Sequence, residues 1–173
     1  MLEIHYTHSI LPFYLSFTVF LKTAVFMPLS SSNFSLFQNL LSSNNGLKGD
    51  VNIAPLALNP ALTVMQNLDF LSCIFKAQSV VMAPVKYFGL EDLLNKKLKD
   101  VTQESGVLIS LSPLFFKQSN IWCIFIEDYA LSKEAKNKIS ILIQSKVENS
   151  NSIVFYATSS GNYFDIKNQI NFT

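Results

Sequence analysis

The pattern of apolar and polar positions is clearest in the C-terminal half of the chain. "IWCIFIE", residues 121–127, is an apolar run that ends in an acid. Its β-branched and aromatic content predicts a strand buried on both faces. Ser132 is placed to cap a helix. From there Ala135, Ile139, Leu142 and Ile143 make one apolar stripe, with Lys133, Lys136 and Lys138 on the other side. "VENSNS" is a turn-rich link, and "SIVFYAT", 152–158, predicts a second buried strand. Upstream, "LEDLLNKKLKD", 90–100, predicts a helix, with acids in the first turn and lysines in the last. "GVLISL", 106–111, fits a strand or the end of a helix. The order helix, strand, helix, strand predicts an α/β layer with a parallel sheet and right-handed crossovers.

The N-terminal half is less regular. Residues 9–29 are nearly all apolar, bracketed by Pro12 and Pro28 and interrupted by Lys22. No basic flank precedes them, so they are read as a strand and helix of a soluble core. A membrane anchor over 9–29 is the alternative. Phe34 to Leu41 has helical spacing, and Asn44 to Asp50 is a turn by composition. Asn59-Pro60 predicts a helix start, with the helix running from Pro60 to about Leu68. "SVVMAP", 79–84, predicts a short strand stopped by proline. One α/β domain over 1–173 accommodates all of this, with 79–173 as its regular half.

Composition narrows the chemistry. The chain is 49% hydrophobic and 14% charged, with a net charge of +1, so electrostatics give no reason to expect strong binding to nucleic acid or acidic lipid. All 13 basic residues are lysines. Without arginine the chain cannot supply bidentate phosphate recognition or a trans-acting arginine finger. Cys73 and Cys123 lie in apolar runs and are read as buried, reduced thiols. No CxxC spacing suggests zinc, and the His5-x-x-His8 pair, with no cysteines or carboxylate cluster nearby, is weak evidence for a metal and is read as surface or incidental. The five glycines never form G-x-x-x-x-G-K-[ST], so no P-loop is present. No catalytic residue, cofactor or metal is expected.

Residues 111–170 carry a resemblance. Ile124-Phe125-Ile126-Glu127-Asp128 is followed by Leu131-Ser132-Lys133-Glu134-Ala135-Lys136-Asn137-Lys138-Ile139 and then by Asn151-Ser152-Ile153-Val154-Phe155-Tyr156-Ala157-Thr158-Ser159. This resembles the AAA+ module of bacterial clamp-loader subunits, the δ′ family of DNA polymerase III. The resemblance implies a three-layer, P-loop-NTPase-like (AAA+) core with a mostly parallel sheet. Glu127 and Asp128 would then be Walker-B-like acids, and Thr158 and Ser159 sensor-like hydroxyls. The family's arginine position falls at Asn168-Gln169, and a degenerate or truncated core without the family's lid and collar domains is the expectation. The implied role is a non-catalytic assembly subunit in the cytoplasm. It would bind other clamp-loader subunits, reach DNA only indirectly, and not act as an enzyme. Under this reading the acids cap the sheet and serve the following helix rather than a metal.

Overall fold

The computed structural model describes residues 2–6, 15–19, 23–27, 51–119, 121–128, 131–149, 152–159, 166 and 169–171. Its centre is a five-stranded sheet built from β3 (Thr23–Phe26), β4 (Val51–Ala54), β5 (Ile121–Ile126), β6 (Ile153–Thr158) and β7 (Gln169–Asn171). The spatial order is β4-β5-β6-β3-β7, and every pairing is parallel. A separate antiparallel pair joins β1 (Leu2–Tyr6) to β2 (Leu15–Val19).

Burial on both faces explains the unbroken apolar runs of β5 and β6. Trp122 and Ile124 share rows with Val154 and Tyr156 of β6, which share rows with Ala24 and Phe26 of β3. This face packs on the helices, through residues such as Leu68, Leu114, Ile139 and Ile143. Val25, Cys123 and Phe155 lie in the intervening rows and are also fully buried. Burying one such side chain contributes about 1.5–3 kcal/mol. Burial also pushes the Cys123 thiol well above the usual thiol range. At the amino ends of the strands, Asn52 Nδ2 donates to Ser119 Oγ at 2.8 Å and Ser119 Oγ donates to the Ile121 carbonyl at 3.0 Å.

The helices are α1 (Val64–Ile74), α2 (Met82–Phe88), α3 (Gln103–Ser110), the single turn α4 (Pro113–Phe116) and α5 (Lys133–Asn149). The predicted stripe of α5 is buried as expected, and Val147 extends it.

Three local expectations are corrected. First, the predicted helix at 60–68 starts later. Asn59 Oδ1 accepts from the Ala61 amide at 2.9 Å, which makes a turn, not a helix cap. The cap is Thr63: its Oγ accepts from the Gln66 amide at 3.1 Å while Gln66 Oε1 accepts from the Thr63 amide at 2.9 Å. Second, 79–84 is not a strand but a short 3-10 turn, Gln78–Val80, running into α2. Pro84 sits in the first turn of α2, where its missing N–H would lack a partner anyway. Gly89 ends that helix at φ 72°, in the left-handed region open to glycine.

Third, 90–100 is not a helix. It forms two 3-10 turns, Glu91–Leu93 and Leu98–Asp100. Its backbone pairs with residues 60–65: the Val64 amide donates to Lys96 O, Met65 to Leu94 O and Leu98 to Leu62 O. Those long-range bonds displace the local helix ladder. The four leucines still pack inward, with Leu90 buried and Leu93, Leu94 and Leu98 against the core.

Within 9–29, the described residues form β2 and β3, and Ala24 and Val25 of β3 are fully buried. A membrane anchor there is therefore not supported. Among the described residues no helix is long and apolar enough to cross a membrane. Cys73 also departs from expectation. The spacing of α1 places it on the exposed face with Phe70 and Ile74. The helix expected at 34–41 and the turn at 44–50 lie outside the described residues.

Candidate functional site

The carboxyl ends of parallel strands are where ligands bind in open α/β sheets. β5 and β6 lie side by side with Ile126 opposite Thr158. The structure thus brings Glu127, Asp128, Thr158 and Ser159 to one end of the sheet. The Ser159 amide closes the pair by donating to the Ile126 carbonyl at 3.1 Å.

The two acids have different environments. Asp128 is fully buried. Ser159 Oγ donates to its Oδ1 at 2.5 Å, the Asp128 amide donates back to Ser159 Oγ at 3.1 Å, and Lys136 Nζ lies 3.8 Å from Oδ2. The Asp128 carbonyl accepts from the Leu131 amide at 3.0 Å, which starts the turn into α5. Both carboxylate oxygens therefore face groups of this chain, as a buried acid requires. Glu127 is exposed and borders a cleft of about 410 Å³ with Phe125, the loop Pro55–Leu58, and Gln103, Gly106, Val107 and Ser110 of α3. Thr158 is buried at the last position of β6.

The start of α5 is capped twice. Ser132 Oγ accepts from the Ala135 amide at 3.1 Å, and the Glu104 carboxylate accepts from the Ser132 amide. The Ser132 cap is visible in the sequence. The Glu104 contact spans 28 residues and has no local signal. Nothing local marks the Ser159–Asp128 pair either, since parallel register alone brings those residues together. At the position expected for an arginine, Gln169 of β7 accepts from the Tyr156 hydroxyl, whose pKa burial pushes up.

A phosphate cradle in this architecture is a glycine-rich turn between a strand and a helix. The carboxyl ends of β3, β4, β5 and β6 are followed by "MPLSSSNFS", "PLALNP", "EDYALS" and "SSGNYF". None contains the glycine spacing or the lysine that would hold triphosphate oxygens. From Met27 to Asn45 the chain contains no glycine and no lysine. The residues present do not fit a bound Mg-nucleotide. No group of three or more metal-ligating side chains comes together among the described residues.

Comparison with known proteins settles the family. No known family profile matches the chain. It is 33% identical over 103 residues to the cytochrome c biogenesis ATP-binding export protein CcmA of Rickettsia conorii, covering 60% of this chain and 53% of the relative. The CcmA of Rickettsia bellii is 31% identical over 134 residues, covering 76% of this chain and 68% of that protein. The chain belongs to the CcmA family.

It spans about half the length of the Rickettsia conorii CcmA. Among solved structures, a chain described as an ABC transporter ATP-binding protein from Pyrococcus furiosus has a TM-score of 0.69 at 15% identity, covering 91% of this chain and 88% of that one. An ATP-binding cassette bound to ADP and Pi, in a dimeric post-hydrolysis state, has a TM-score of 0.67 at 14% identity, covering 91% and 85%. These likenesses identify the fold as that of ABC ATPase domains.

The clamp-loader resemblance is thereby overturned, and with it the AAA+ assignment, the role in DNA replication, and the expected clamp-loader and DNA partners. Its matched positions were mostly hydrophobic ones of a strand-helix-strand unit. Any parallel P-loop-type sheet needs those positions, so they do not separate a CcmA relative from a clamp-loader subunit.

Proposed function

We propose that this chain is a cassette subunit of an ABC export complex of the cytochrome c biogenesis class, without a hydrolytic nucleotide site of its own. It works at the cytoplasmic face of the membrane, against a permease component that spans the bilayer. The CcmA relatives, named as ATP-binding export proteins, support the class. The observation that supports loss of hydrolysis is the site itself. The cassette sheet is present, the sequences that follow its strands lack the glycine spacing and lysine of a phosphate cradle, and Asp128 is held by Ser159 and Lys136. A Mg²⁺ held by one or two carboxylates ordinarily relies on substrate phosphates for further ligands.

Two measurements test the two halves of this reading separately. Titration of the purified chain with a fluorescent ATP analogue and Mg²⁺ is expected to give no saturable binding. Saturable binding that Glu127→Gln abolishes would show a working site. Tagged chain co-expressed with a permease of the CcmA-containing exporter is expected to co-isolate with it from detergent-solubilised membranes. If the permease is recovered without the chain, the export role fails whatever the nucleotide result.

A further inference from the structure

We draw no further inference here: the strongest candidate, the outer apolar face of α1 and the following 3-10 turn, where Phe70, Ile74 and Val80 stand exposed, carries nothing because nothing in the structure shows what covers it.

Discussion

Asp128 is a buried charge whose oxygens are directed at the protein's own groups. Lys136 is partly exposed, so solvent screens much of its attraction, and the Ser159 hydroxyl is the stronger partner. Asp128→Ala removes a charge-assisted hydrogen bond and should cost about 1.5–3 kcal/mol in urea unfolding. Asp128→Asn keeps an acceptor and should recover part of that. An Asp128→Ala variant as stable as the parent would refute the structural role. The same scale sets the alkaline limit of the fold. Burial raises the pKa of Cys123 from 9.0 and those of Tyr87 and Tyr156 from 10.0, and lowers that of Lys146 from 10.5. For the three raised acids the stability is present below the unfolded value and lost as pH rises past it, because the unfolded chain then binds fewer protons. Lys146 acts oppositely: between its folded value and 10.5 the unfolded chain binds more protons, so its term rises with pH. Past pH 10 the three raised acids outnumber it. The free energy of unfolding should therefore decline from pH 9 upward, with fully buried Cys123 contributing first, and more steeply past pH 10, where the two tyrosines join it. Cys123→Ala should move the onset of that fall toward pH 10. An unchanged onset would show that Cys123 does not set it.

Two glycines separate backbone from packing at the scale of elements. Gly89 ends α2 at φ 72°. Gly106 lies within α3, and a Cβ added there meets nothing within 4 Å. Gly89→Ala should destabilise by about 1–2 kcal/mol, because an L side chain in the left-handed region meets the following carbonyl. Gly106→Ala should stabilise by about 0.5–1 kcal/mol, since a helical alanine loses less backbone entropy than glycine. Thermal melts of the two variants should move in opposite directions, and parallel shifts would refute this reading. The same contrast explains what the sequence could reveal. β5, β6 and α5 are legible because each carries a long apolar run or stripe whose burial lies within one element. The 90–100 segment is not, because its backbone is satisfied by residues 60–65, some thirty positions upstream. α2 hides behind Pro84, which reads as a stop but sits in a first turn. Asn59-Pro60 pointed to the wrong start because the Asn59 side chain closes a turn, while the Thr63–Gln66 box caps α1. At the site, the acids and hydroxyls at the strand ends could be read from the residues. Which acid is buried could not, because that depends on the register of β5 against β6.

At the scale of the whole molecule, the question is whether a cassette fold without a phosphate cradle still answers to nucleotide. Any ligand that binds only the folded state stabilises it by mass action. At about 100 times its dissociation constant the gain is about 2.7 kcal/mol. A shift of that size would be plain in a melt of a 173-residue chain. None of the sequences that follow β3, β4, β5 and β6 carries the glycine spacing and lysine of a phosphate cradle. Tm measured with Mg-ATP, Mg-ADP and Mg²⁺ alone should be the same within error. A rise specific to Mg-ATP would place a nucleotide site on this chain and reverse the proposal that it does not hydrolyse. A rise with Mg²⁺ alone would point instead to Glu127 and its neighbours, and Glu127→Gln should then remove it.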